Sequence, residues 1–156
     1  MEEKIINALR ELGFVPQHPE NGESWMFNYE GSRYFYMPND NEHLLNIVIP
    51  YVVDHEDFPN ADYAAITQKV NAELCFTKAY VQYNNVWVTY EQYLFGDEDN
   101  ERMKEILARM IQFLDQGKDY ARSLATSMKS TNESSSSSAG IEFNDNNENK
   151  DKEEES

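Results

Sequence analysis

One cysteine, Cys75, stands in 156 residues. A lone thiol cannot close an intramolecular disulfide, so the fold must rest on its core, and a reducing compartment is expected. Glycine occurs 6 times and proline 5 times. No P-loop, GxGxxG, HExxH or nucleophile-elbow pattern occurs, so no enzyme and no cofactor is expected. Positive charge is also short: 13 Lys+Arg stand against 29 Asp+Glu, a formal net charge of -16. Such a surface repels phosphate backbones and anionic lipid, which excludes nucleic-acid and membrane-surface partners. Basic or amphipathic protein segments fit it better, although the charge could also serve solubility alone. The longest apolar run, "IVIPYVV", is far below the roughly 20 residues that cross a bilayer. "MEEKIINALRELGF" has no basic stretch followed by an apolar core, so no secretory signal is expected and the cytoplasm is the expected location.

What the chain does have is aromatic and patterned. Hydrophobic residues make up 40% and aromatics 13%, enough for one domain. Ile5, Ile6, Leu9 and Leu12 recur at helical spacing, with Gly13 where a C-terminal cap would sit. "SWMFNYEGSRYFYM" reads as two strands joined at Gly31-Ser32, which sets Tyr29 opposite Tyr34 and Phe27 opposite Tyr36. Leu44 to Val53 is a third strand, apolar on both faces and therefore interior, with pairing interrupted at Pro50. Asn60 or Asp62 caps a second helix carrying Tyr63, Ile66, Val70 and Leu74. "KAYVQYNNVWVTYEQYLF" is a hairpin turning at Asn84-Asn85. A third helix spans about Glu98 to Ala125, with Met103, Ile106, Leu107, Met110, Leu114 and Leu124 on one stripe. From Ser127 the chain is serine, asparagine and glutamate, with only Ile141 and Phe143 as apolar anchors. A disordered acidic tail, 127–156, is expected to follow a domain of residues 1–126.

The order α-β-β-β-α-β-β-α predicts an α+β domain: a five-stranded antiparallel sheet with helices one and three packed on one face. That order, with "NYEGSRYFYM", "LNIVIPYVVDHED", "KVNAELCFTKAYVQYNNVWVTYEQYLF" and "NERMKEILARMIQFLDQGKDYA", resembles the YbjN family. More distantly it is similar to bacterial type III secretion chaperones of the Tir-chaperone-like fold. The resemblance covers about residues 1–125 and implies a binding scaffold. The chaperones are small, acidic, cytoplasmic homodimers that hold an extended effector segment, so a homodimer is implied as well.

Chemistry-bearing residues are sparse. His18, His43 and His55 lie in polar loops. "DHED" at Asp54–Asp57 is the densest set of potential metal ligands, but consecutive residues on an extended strand end diverge, so a solvated strand exit is expected and no metal. Cys75 reads as a small buried hydrophobe, with a nucleophile as the alternative.

The hairpins point elsewhere. Burying Asn28, Glu30 and Arg33 would be costly, so Trp25, Phe27, Tyr29, Tyr34 and Tyr36 should face the core, as should Ala79, Val81, Tyr83, Val86, Val88 and Tyr90. Leu45, Ile47 and Ile49 then face inward, with Val48 and Val52 outward. The opposite sheet face collects Met26, Phe35, Met37, Val48, Tyr80 and Trp87 among polar residues. Aromatics and methionine within an acidic rim suit a protein-binding surface. A non-enzymatic binding module, chaperone-like or regulatory and homodimeric, is the expected function. Three other readings stay open. Helix two or the tail could cover this face, or its apolar residues could be scattered singly. A tyrosine-lined pocket between sheet and helices, near Tyr34, Tyr36 and Tyr90, could serve a small-molecule sensor or enzyme.

Overall fold

A computed structural model describes residues 1–137. The element order is α1 (Glu2–Glu11), β1 (Trp25–Tyr29), β2 (Ser32–Met37), β3 (Leu44–Val53), α2 (Tyr63–Glu73), β4 (Lys78–Gln82), β5 (Asn85–Tyr93) and α3 (Asn100–Ser137). This is an α+β fold with one open antiparallel sheet in the order β1-β2-β3-β5-β4. The run of β3, apolar on both faces, occupies the centre.

Each helix end follows local chemistry. α1 stops at Gly13 (φ 95), where Gly13 N–H donates to Arg10 O and Phe14 N–H to Leu9 O. That is a Schellman closure, which needs a left-handed residue. Asp62 caps α2 by accepting from Ala65 N–H, and Asp99 does the same for Arg102 N–H ahead of α3.

The core joins the sheet's inward face to all three helices. Phe27, Tyr34, Leu45, Ile47, Ile49, Val86 and Val88 meet Ile5, Leu9, Ile66, Val70 and the α3 stripe. That stripe runs Met103, Leu107, Met110, Leu114, Ala121 and Ala125, all fully buried, while Ile106 is only half-buried. Midway along it α3 packs tightly against the segment ahead of β4. A Cβ at Gly117 would stand 2.5 Å from Thr77 Cγ2, and Thr77 is fixed there by donating to Phe113 O at 2.9 Å. The residue after Gly117, Lys118, only 3% exposed, pairs with Asp115 at 2.6 Å, and Tyr34 OH donates to the same carboxylate.

Several details differ from the pattern reading. Both hairpins turn earlier than expected, through Glu30-Gly31 and Tyr83-Asn84, all four with positive φ. Phe27 therefore pairs with Tyr34, and Tyr80 with Trp87. A slip of two residues leaves every side chain on its expected face. Asn85 is drawn out of the turn because its side chain accepts from His55 N–H and donates to Tyr83 O. The interruption at Pro50 is a bulge: Ile49 pairs with Val88, but the next pair is Val53 with Val86. Within it Tyr51 adopts φ 53. The bulge sends Val52 into the core, correcting its outward assignment. Val81, near the hairpin end of edge strand β4, and Tyr83, in the turn itself, both expected in the core, are exposed. Cys75 is exposed too, since it sits in the loop between α2 and β4.

α3 also runs twelve residues beyond the expected Ala125. The hydroxyls of Thr126, Ser127, Ser130 and Thr131 each donate to the carbonyl four residues back, so they do not pull the backbone from the helix. Met128 packs against the core, and Lys129 lies over the Phe58 ring. Residues 138–156 of the expected tail, Ile141 and Phe143 among them, lie outside the described residues.

Gly117→Ala tests the α3 contact. Alanine is the better helix former by about 1 kcal/mol, yet here it should destabilise by about 1–3 kcal/mol through overpacking. Adding Thr77→Ser, which removes the clashing methyl, should recover most of that loss in thermal melts. A stabilised Gly117→Ala would show that α3 does not approach this closely.

A second test uses the buried phenols. Burial, then Glu2, pushes Tyr36 up to about 12. Burial and then Asp115 raise Tyr34 further. Tyrosines of an unfolded chain ionise near 10, so above that pH the unfolded state binds fewer protons and stability falls as pH rises. Ultraviolet titration should show these two phenols ionising only as the domain unfolds. All ten tyrosines titrating near pH 10 with the fold intact would contradict their burial.

Candidate functional site: the uncovered sheet face

The alternation of each strand produces the site. Met26, Phe35 and Val48 are neighbours on one rung, continuing to Thr89 and Lys78. Tyr80 and Trp87 pair on another, and Met37 stands opposite Asn46. None of the six apolar residues assigned to this face touches the core cluster, and all three helices lie on the other side. Among the described residues nothing covers the face, so helix two is not its cover.

The six are unequally exposed. Met37 is 40% exposed, Met26, Phe35, Tyr80 and Trp87 are half-buried, and Val48 is 5% exposed between Phe35 and Thr89. The centre is polar but satisfied, since Thr89 Oγ1 donates to Asn46 Oδ1 at 2.7 Å. Lys78 and Glu91 form a solvent-exposed pair at 3.6 Å, which contributes little to stability. Burial, then Glu91, raises the Tyr80 phenol above its ordinary value, so it stays protonated as a donor at neutral pH.

Two aromatics join the site that pattern reasoning had put elsewhere. Tyr51 packs on Trp87 at 5.2 Å between ring centres, and Tyr83 and Tyr80 each at 6.2 Å. Tyr51 would have faced inward had β3 been regular; the bulge turns it out. Only the break at Pro50 hinted at this. The cluster shields the Trp87 indole, whose Nε1–H is buried without a hydrogen-bond partner. Trp25, on the other face, is also half-buried, but its indole donates to Glu2 at 2.9 Å.

The other candidates disperse. The three tyrosines do not share a pocket: Tyr34 fills the core, Tyr36 borders a small cleft with Met1, Glu2 and Leu44, and Tyr90 borders a separate groove with Phe76, Phe95 and Arg109. His18, His43 and His55 have separate surroundings: His18 lies by Pro19 O, His43 Nδ1 is 2.9 Å from Leu94 O, and His55 is beside the Tyr63 hydroxyl. Among the described residues no group of three or more His, Cys, Asp or Glu is placed to hold a metal. No described helix is long and apolar enough to cross a membrane.

The crystal structure of YbjN from E. coli, a proposed transcription regulator, superposes with a TM-score of 0.58 over 78% of this chain and 90% of that one, at 15% identity. The fold is YbjN-like. No family model and no curated protein matches the chain. At this identity the YbjN likeness concerns the backbone arrangement alone.

Trp87→Phe tests the local geometry. The change removes an orphaned donor, which costs about 1–3 kcal/mol when buried, along with part of the ring's packing. The two effects should nearly cancel, leaving the melting temperature within a few degrees. A loss comparable to Trp87→Ala would mean that the indole nitrogen is bonded after all.

Proposed function

We propose that this chain is a non-enzymatic protein-binding module, chaperone-like or regulatory, working as a cytoplasmic homodimer. The uncovered sheet face is its docking surface, with Met26, Phe35, Met37, Val48, Tyr80 and Trp87 as contacts. One observation carries the reading: three helices crowd one side of the sheet while the other side keeps a contiguous set of large apolar side chains. Contiguous exposed apolar surface of this kind marks interaction sites more than chance. The net charge of -16 favours a polypeptide partner over DNA. A regulatory role of the kind proposed for YbjN would then be exercised through another protein.

Site-specific photocrosslinking in cells is the test. A photoreactive phenylalanine in place of Phe35 should trap a defined polypeptide, either a second copy or another protein. The same group at Glu105, on the exposed side of α3, should trap none. Phe35→Asp in a chain crosslinked from position 80 should reduce the yield at least about tenfold, as expected for an interface anchor. Equal trapping from positions 35 and 105 would remove the sheet face from consideration.

A further inference from the structure

Two tyrosines adopt backbone conformations that suit neither. Tyr51 has φ 53 and Tyr83 φ 50, the left-handed region that bulky residues rarely enter. Tyr83 is the first residue of a two-residue hairpin turn, where asparagine, aspartate or glycine is the ordinary choice. Neither ring is there to fill the core: they are 47% and 74% exposed. Both rest on Trp87, and both wall one cavity of about 360 Å3 at the end of the uncovered face.

The rest of that cavity is acidic and amide-bearing. Asp54 and Glu56 line it with Asn84 and Asn85. Asp54 Oδ1 accepts from Glu56 N–H, which holds the two carboxylates on one tight turn. Neither has an ion-pair partner among the described residues. No lysine or arginine lines the space; His55 does, its ring near the Tyr63 hydroxyl. Aromatic faces beside unpaired carboxylates attract a cation that is flat and weakly hydrated. Guanidinium is both: it stacks on aromatic rings and forms two parallel bonds to a carboxylate.

The geometry points to an arginine-binding pocket in which Tyr51 and Tyr83 stack on, and Asp54 and Glu56 pair with, an arginine side chain of the partner polypeptide. This deepens the protein-binding reading and rests on it for the partner's identity. It also accounts for the unfavourable backbone at both tyrosines, because local rules are broken where function needs a side chain that stability does not.

The test is an amide-resonance titration of the full chain with acetyl-Gly-Arg-Gly-amide and with its neutral citrulline counterpart. The arginine peptide should shift the amides of His55, Glu56, Asn84 and Asn85, and the citrulline peptide should bind at least about fivefold more weakly. Tyr83→Asn, which suits the turn, should keep or raise the melting temperature while weakening the arginine peptide at least about fivefold; Glu56→Gln should weaken it as well. That combination separates a binding role from a structural one. Equal shifts with both peptides, shifts scattered over the acidic surface, or undiminished binding by Tyr83→Asn would overturn the pocket. Phe35→Asp should leave these shifts unchanged. Arginine binding without a crosslinked partner would therefore count against the sheet face alone, and a crosslinked partner without arginine binding against the pocket alone.

Discussion

Everything in this fold depends on burying one face of a five-stranded sheet beneath α3. The helix supplies a stripe that returns every three or four residues from Met103 to Leu114 and, past Gly117, resumes at Ala121 and Ala125, each member buried in the core. Burial of that kind contributes about 1.5–3 kcal/mol per large side chain. The stripe works only because Gly117 lets α3 settle onto Thr77. From that seat α1 and α2 are fixed on either side, and Asp115 is brought to Tyr34 and Lys118.

Placing all three helices on one side has a consequence for the other side. Alternation guarantees that a strand with inward Phe27, Ile47 or Val88 also has outward residues. In this chain those include Met26, Phe35, Val48 and Trp87, where a purely solvated face would carry polar groups. Polar neighbours keep the face from becoming a second core, with Thr89 and Asn46 satisfying each other at its centre. The edges are guarded differently. The Asn71 side chain bonds both the N–H and the C=O of Ala79 on edge strand β4, which blocks strand addition there.

The loops follow the same economy of local bonds. Glu98, 7% exposed, accepts from the N–H groups of Phe95 and Gly96 and so closes the passage from β5 to α3. Burial alone would raise its carboxyl, but the backbone donors outweigh that and hold it below the ordinary range. Asn85 and Asp54 do comparable work where β3 and the second hairpin end side by side. Those bonds fix the acidic turn beside Tyr83.

The sequence by itself determined the element order, the antiparallel hairpins and the inward or outward sense of nearly every strand residue. Period-two and helical spacing are local properties that survive even a two-residue slip of register. It also determined the six outward apolar residues, because parity alone assigns them. Only the tertiary structure decided what breaks that parity. The bulge after Ile49 turns Tyr51 outward and Val52 inward, since Pro50 cannot donate to a neighbour and the strand must still rejoin Val86. Asn85 leaves the turn because His55, thirty residues earlier, offers it an amide. The extension of α3, where Met128 reaches the core and Lys129 the Phe58 ring, was likewise settled by contacts distant in the chain. The cavity between Tyr51 and Tyr83 belongs to the same class: its walls come from two segments that no local pattern joins.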